Sequence, residues 1–594
     1  MLAKYYSLWK DVYTLIWLVV LATSVSSKAV FSHYMVANTG NYDSHDWNKD
    51  ITLAQEAHID AFALNMAHGV PANDKSVEEA FKVAEKLAFK LFFSFDYVGN
   101  GSWPQPDVIN MIQKYSSSSA HYRHQGRPLV STFEGFEKSD DWTEIKKKTD
   151  CFFVPDWSSV SADDALQVAG GVADGLFSWA AWPSGTGRMN TFTDASFMNN
   201  LKAAEKPYMM PVSPWFFTDM PEYGKNWSFH GGNLWNDRWI EIFFLDPEWV
   251  EIISWNDYGE SHYIGPLNEK GFQLFDANKG SYNYARDMPH DGWRLQLPFV
   301  IDLYKKGTAS VGQESLVIWY RTQSHCSGNI TGIMDDDLRK NHIEGGNKVF
   351  FSALLGSNES IKVIFGDEEK HASWSHKPDG GIGIYYGNSD VNSAHLEDIA
   401  LAIWRSDEEV MRVKGPSLNS SCDDSFVNFN AWVGAHSVKG DDSASPKIPL
   451  EDQVCVQGTG RANFAELCEY TCGYGYCPLD TCYCTAMGAA KQKPQPTKQK
   501  GVPKTGDDSY TGLCSFACYY GFCPSLSCKT KGTASGPSPT SAACRGENNH
   551  GNSQSADCPS SSSSKESGGT SGLSVMNLSL MFLVTTPMAL WLSR

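Results

Sequence analysis

Between residues 28 and about 307, short apolar runs alternate eight times with longer intervening stretches, and that alternation restricts the fold more than any other feature. The runs are VFSHYMV (30–36), AFALNMA (61–67), LFFSFDY (91–97), PLVSTFEG (128–135), CFFVPDW (151–157), GLFSWAAW (175–182), YMMPVSPWFF (208–217) and WVEIISWNDY (249–258). Near-continuous apolar strands are what a parallel sheet covered on both faces requires. Stretches between them, such as NDKSVEEAFKVAEKLAF, SADDALQVAGG, TDASFMNNLKAA and NLWNDRWIEIFFLD, have helical periodicity, with Asn73, Ser161 and Thr193 as N-cap-type starts. Eight strand–helix units over this length predict a (β/α)8 TIM barrel at 28–307, close to the typical size of about 250 residues. A doubly wound open sheet is the alternative, but it gives no reason for polar residues at nearly every strand's C-terminal end.

After residue 308 the period changes. LVIWYRT, VFFSALL, SIKVIFG, GIGIYYG, LAIWR and VNFNAWVG are short strand-like runs separated by Gly, Asn, Ser and Asp, which predicts a β-sandwich-like domain over 308–440. A small disulfide-rich region follows. Of the 15 cysteines, 13 lie from Cys422 to Cys558, and LCEYTCGYGYCPLDTC (467–482) repeats as LCSFACYYGFCPSLSC (513–528) with identical cysteine spacing. Within 455–530 the two repeats flank a Pro/Lys linker. They read either as stapled spacers or as modules presenting Tyr474, Tyr476, Tyr519, Tyr520 and Phe522 to a polysaccharide. Zinc is disfavoured, because the spacing is not that of a zinc site and disulfides compete for the thiols.

Both termini carry address-like signals. Lys4 and Lys10, the run VYTLIWLVVLATSV and the small residues after it predict a secretory signal peptide over 1–27. A Ser/Gly-rich stalk (531–572) and a 20-residue apolar tail within 573–594 match a glycolipid (GPI) anchor signal, with a retained transmembrane helix as the alternative. Clustered cysteines and sequons at Asn100, Asn226, Asn329, Asn358 and Asn419 agree with an extracellular cell-wall or membrane-surface location. A membrane is expected to be met only through that anchor. The net charge of −19 argues against a nucleic-acid partner. Aromatic residues at 13% suit a neutral carbohydrate, whose C–H faces pack on rings.

In a parallel barrel, chemistry collects at the C-terminal ends of the strands. Those ends offer Asn38, Asn65, Asp96, Glu134, Asp156, Trp182, Trp215 and the segment SWNDYGESHY, which holds Trp255, Asp257, Glu260 and His262. Glycosidases need a proton donor at the leaving oxygen and a second carboxylate as base or nucleophile. Asp96, Asp257 and Glu260 are therefore the candidate catalytic residues, and a turn at Gly259 would point the last two into one mouth. Asn65, Glu134, Asp156, Trp182, Trp215, Trp255 and His262 are candidate substrate contacts; His33 and His68 also lie near strand ends. No metalloprotease, P-loop, nucleophile-elbow or dinucleotide motif appears in a credible context, so no cofactor and no metal is expected.

VFSHYMVANTGNY, FSFDY and ISWNDYGESHYIGP, together with the barrel length, resemble the fungal α-1,3-glucanases (mutanases) of glycoside hydrolase family 71, over about residues 28–435. The resemblance implies endo-hydrolysis of α-1,3-glucan with inversion, and carries the family's proposed catalytic carboxylates onto Asp96, Asp257 and Glu260. Two other readings stay open: a wall-anchored glucan-binding protein with an inactive barrel, and a hydrolase of another neutral polysaccharide. Which carboxylate donates the proton, the disulfide pairing and the oligomeric state are not legible in the sequence.

Overall fold

The computed structural model describes residues 28–538, apart from 184–187, 230, 324–347, 366–367, 392–398, 419–427, 462 and 507. The expected leader, the apolar tail, most of the Ser/Gly-rich stalk and the sequons at Asn329 and Asn419 lie outside the described residues.

Eight parallel strands form the first body: β1 (Ala29–Met35), β2 (Ala61–Ala67), β3 (Lys90–Asp96), β4 (Arg127–Phe133), β5 (Phe152–Asp156), β6 (Leu176–Phe177), β7 (Tyr208–Val212) and β8 (Trp249–Ile252). They pair in the order β3-β2-β1-β8-β7-β6-β5-β4, and β3 closes against β4, so the sheet is a barrel and not an open doubly wound sheet. The helices that follow the strands are α1 (Ser44–Glu56), α2 (Asn73–Leu87), α3 (Gln105–Tyr115), α4 (Asp141–Thr149), α5 (Ala162–Gln167), α6 (Phe192–Ala203), α7 (Leu234–Leu245) and α8 (Leu297–Lys306). Asp43 caps α1 in a reciprocal box with Asp46, and Ser161 caps α5 through the Asp164 N–H. Thr193 falls inside the first turn of α6, whose N-cap is Thr191.

Side chains alternate across each strand, so every second residue points into the barrel. Phe31, Ala63, Phe92, Phe152, Val154 and Trp249 fill its lower interior. Two or four residues further along the same strands, the inward positions become polar: His33, Asn65, Asp96, Asp156 and Glu251. The apolar plug gives way to a polar floor at the C-terminal end, where loops can build a site.

Two expected strands are shorter than their apolar runs. The sixth pairs only over Leu176–Phe177, and the chain then turns to carry Trp179 and Trp182 over the mouth. The seventh stops at Val212, and the strand that begins at the end of its run, Phe217–Met220, pairs antiparallel with Lys225–Ser228 as a hairpin outside the barrel.

The second body is two four-stranded antiparallel sheets. One runs Gly383–Asp390, Lys348–Leu355, Val311–Tyr320, Trp432–Asp441; the other runs Glu368–Ala372, Ser360–Phe365, Ile399–Arg405, Glu408–Lys414. Leu316, Ile318, Phe351, Val363, Leu401 and Met411 share the core between them. Glu368–Ala372 and Glu408–Lys414 escaped the sequence reading because they are edge strands rich in exposed charge.

Each cysteine repeat is a short helix on a two-stranded sheet. The first has helix Ala465–Cys472 and strands Val454–Gly460 and Cys482–Gly488; the second has helix Thr511–Tyr519 and strands Gln499–Pro503 and Cys528–Thr533. Cys468–Cys482 and Cys472–Cys477 in the first match Cys514–Cys528 and Cys518–Cys523 in the second, and Cys455–Cys484 is an extra bridge in the first. Two of the five aromatic residues considered for polysaccharide binding, Tyr476 and Phe522, stack between the modules. Tyr476 stacks on Phe516 and Tyr470 on Phe522 across the two repeats, and Tyr520 packs on Phe516. They join one module to the other.

Helix α7 is held by the fully buried Arg238, which bonds Asp194 with two nitrogens, Glu241 with one, and the carbonyl of Pro211 in β7. Removing one partner of a buried ion pair leaves an uncompensated charge, at a cost of about 3–5 kcal/mol. Arg238→Met is expected to destabilise the barrel by that amount, read as a lower thermal midpoint; an unchanged midpoint would show that the pair carries no net stability.

Candidate active site

The site is built on the turn after β8 and on the hairpin after β7. The Asp257 N–H donates to Ser254 Oγ at 3.0 Å, and the Glu260 N–H donates to Asp257 Oδ1 at 3.0 Å. This tight turn brings both carboxylates to one side, where His262 Nε2 lies 3.1 Å from Glu260 Oε2 and 4.0 Å from Asp257 Oδ2. The other ring nitrogen of His262 meets Ser254 Oγ at 2.9 Å, so one serine hydroxyl anchors both the turn and the imidazole.

Lys225 enters from the hairpin. Its Nζ sits 2.6 Å from Glu260 Oε1, and the Phe217 N–H on the partner strand donates to the Glu260 carbonyl at 3.1 Å. The hairpin is thus fastened to the same residue twice, once by charge and once by backbone. Burial disfavours the charged ammonium, but Glu260, Asp257 and Asp96 around it raise its pKa overall. Lys225 therefore stands as a fixed positive charge among the three carboxylates.

The environments of Asp257 and Glu260 push in opposite directions. Burial, joined by the charge of Glu260, holds the Asp257 carboxyl above the usual range, against the pull of His262 and Lys225. Burial also penalises the Glu260 charge, but Lys225 and His262 outweigh it and hold that carboxylate well below its ordinary value. The two pKa values are thus driven apart, Asp257 upward and Glu260 downward.

Asp96, at the end of β3, accepts the N–H groups of Val98 and Gly99 on one oxygen, both at 2.8 Å. Burial raises its pKa against those bonds and the charges of His33 and Lys225. A Cβ at residue 99 would stand 2.5 Å from Asp96 Oδ2, so only glycine lets the loop close on this carboxylate. Asp156 is fully buried; burial and the neighbouring Glu134 raise its pKa well above the usual range. One Asp156 oxygen meets the Ser158 hydroxyl, while Oδ2 has no hydrogen-bond partner among the described residues. Glu134 accepts from Ser159 Oγ at 2.6 Å, and burial raises its pKa as well. Asn65 is buried on the inward face of β2.

The three tryptophans part company. Trp182 is half-buried, lies 5.5 Å from His262 ring to ring, and stacks on Phe229, so it lines the mouth. Trp215 is buried and donates to the Phe429 carbonyl, which ties the barrel to the β-domain. Trp255 is fully buried against Phe62. Of the candidate substrate contacts, Trp215 and Trp255 thus sit in the core cluster, where the apolar runs that hold them continue.

Sequence reasoning missed Lys225, Trp179 and the Glu251–His33 pair. His33 Nδ1 meets Glu251 Oε1 at 2.7 Å beneath the mouth, and Trp179 packs edge-on against the His33 ring. Period-two counting along β1 and β8 would have found the pair. Nothing marked Lys225, which in sequence looks like one more loop lysine. His68 lies at the periphery, against Asp107. Asp257, Glu260 and His262 are close enough to hold a cation, but the Lys225 ammonium already supplies the positive charge at Glu260. Cys455, Cys472 and Cys477 also cluster, and all three are in disulfides.

A family model described as Glycosyl hydrolase family 71 matches residues 26–445. A mutanase of Penicillium rubens is 33% identical over 441 residues, covering 72% of this chain and 92% of that protein. A glucan endo-1,3-alpha-glucosidase of Schizosaccharomyces pombe is 32% identical over 426 residues, covering 69% of this chain and 95% of that protein. Among solved structures, a GH99 endo-alpha-mannosidase from Bacteroides thetaiotaomicron shares 17% identity with a TM-score of 0.36, covering 47% of this chain and 97% of that one.

Removing the ammonium that faces Glu260 forfeits a charged hydrogen bond, about 1.5–3 kcal/mol or roughly 10–100-fold in rate. Lys225→Gln is expected to lower kcat by that factor. Because Lys225 depresses the Glu260 pKa, its loss raises that pKa, and the acid limb of the pH–rate profile moves to higher pH. An unmoved acid limb would show that Lys225 does not set the ionisation of Glu260.

Proposed function

The chain belongs to glycosyl hydrolase family 71, and on that premise we propose that it cleaves α-1,3-glucan internally, with Asp257 and Glu260 as its acid–base pair. The observation that carries this reading is the opposite set of the two carboxyls, one whose pKa burial raises and the other whose pKa Lys225 and His262 lower. Asp257 gives its proton to the glycosidic oxygen as the bond to the anomeric carbon breaks. Glu260 takes a proton from the water that attacks that carbon. Asp96 faces the same mouth as a third essential carboxylate, and Lys225 balances the charge of all three. Trp182 offers a ring face to the sugar, while Asn65, Asp156 and Glu134 offer hydrogen bonds to its hydroxyls. The two named relatives support the α-1,3 linkage; residue spacing does not define it.

Inversion at the anomeric carbon is the outcome we propose, in keeping with the family resemblance. Retention is a second reading with one observation in its favour. Facing atoms of Asp257 and Glu260 lie within 4.8 Å of each other, closer than the ~6.5–9.5 Å usual between inverting carboxyls. Proton NMR of the first-formed sugar decides between them: a β-anomer from the α-linked polymer supports inversion, and an α-anomer supports retention.

We also place the enzyme outside the cell. The leader-like N-terminus, the anchor-like C-terminal tail and five disulfides among the described residues support that address.

The secreted chain is expected to release reducing sugar from α-1,3-glucan, and not from α-1,4- or β-1,3-glucan. Asp257→Asn and Glu260→Gln should each lower kcat by about 10²–10⁴-fold, the usual contribution of a general acid or base. Binding of the polymer without release would overturn the enzyme reading, and full activity in either variant would overturn the pair.

A further inference from the structure

The two cysteine modules share one design but differ in what covers one face of their sheets. In the first module, Gly458 lies against Cys472, so the neighbouring pair Thr459 and Tyr483 points to the opposite face. That face is an interface. Strand Cys482–Gly488 packs along α7 of the barrel, and the Tyr483 ring meets Phe192 at the start of α6. In the second module, Gly501 lies against Cys514 and Cys518 in the same way, and Val502 pairs with Lys529 on the opposite face. Nothing among the described residues covers it.

Lysines have taken over this free face. Lys529 stands where the first module has Tyr483, with Lys531 on the same side of its strand, Lys500 at the bulge of the partner strand, and Lys498 and Lys504 at the margins. All five are exposed, and none meets a carboxylate among the described residues. Between residues 490 and 538 there are seven lysines, two aspartates and no arginine, in a chain whose net charge is −19. The patch stands against the field of the rest of the molecule.

We propose that this lysine face is a docking surface for an anionic polysaccharide, separate from the catalytic mouth. Alternate residues on a strand stand about 7 Å apart, which gives a row of point charges suited to acidic groups repeated along a linear polymer. Lysine without arginine fits sequence-tolerant electrostatic binding, because the bidentate fork that selects single phosphates or carboxylates is missing. A lipid surface suits the face less. Leu526, 83% exposed, is the one exposed large apolar side chain of this module among the described residues, and interfacial binding scales with buried apolar area. Held on an acidic matrix polymer, the barrel would meet its neutral substrate at raised effective concentration.

The test uses the intact secreted chain, the variant Lys500→Glu/Lys529→Glu/Lys531→Glu, and the milder Lys→Gln version at the same three positions. Each is passed over immobilised polygalacturonate, neutral dextran, and vesicles of phosphatidylserine with phosphatidylcholine. Wild type should be retained on polygalacturonate at low salt, released as salt rises, and not retained on dextran. The Glu variant should bind at least about tenfold more weakly and the Gln variant should fall between, with hydrolysis of a short soluble α-1,3-linked oligosaccharide unchanged in both. Equal retention of all three proteins, no retention of wild type, or retention on the vesicles alone would overturn the proposal.

Discussion

Closure of the eight-stranded parallel sheet is the constraint from which the rest follows. Once β3 pairs with β4, every second side chain is committed to a closed interior that must be filled. Phe31, Phe92, Phe152 and Trp249 fill the lower part, and the pleat then carries His33, Asp96, Asp156 and Glu251 into its upper end. Acids in that position lose water and keep only the partners the protein supplies. The raised pKa values of Asp96 and Asp156 follow from burial, and the chemistry follows from which acid around the mouth receives a compensating charge.

Glu260 receives the Lys225 ammonium directly, at 2.6 Å. The hairpin between β7 and α7 is an addition to the bare barrel, and it delivers Lys225 to Glu260 while the partner strand holds the Glu260 carbonyl. His262 completes the arrangement from the far side and shares Ser254 with the Asp257 turn. The same few residues therefore set the geometry of the pair and drive its two pKa values in opposite directions.

Much of the barrel was legible because apolar runs and helical periodicity carry it directly, as did Asp96, Asp257 and Glu260 at the strand ends. What escaped reading had a physical reason in each case. The sixth run is as apolar as the others, yet Trp179 and Trp182 belong to the mouth, and hydropathy does not separate a strand from an aromatic lip. Trp215 and Trp255 looked like lip residues and are core. The strands Glu368–Ala372 and Glu408–Lys414 lie at sheet edges, where charge replaces the apolar alternation. Lys225 depends on a hairpin register that no local pattern announces. In the cysteine repeats the spacing was readable, but the use of the aromatic rings between modules was not.

Everything proposed for the mouth depends on the pKa values of two adjacent carboxyls being driven in opposite directions before substrate arrives. Carbon-13 NMR titration of the Asp257 and Glu260 side-chain carboxyls in the substrate-free enzyme tests this directly. Asp257 is expected to titrate above the ordinary aspartate range and Glu260 below the ordinary glutamate range. Glu260 titrating at or above Asp257 would contradict it.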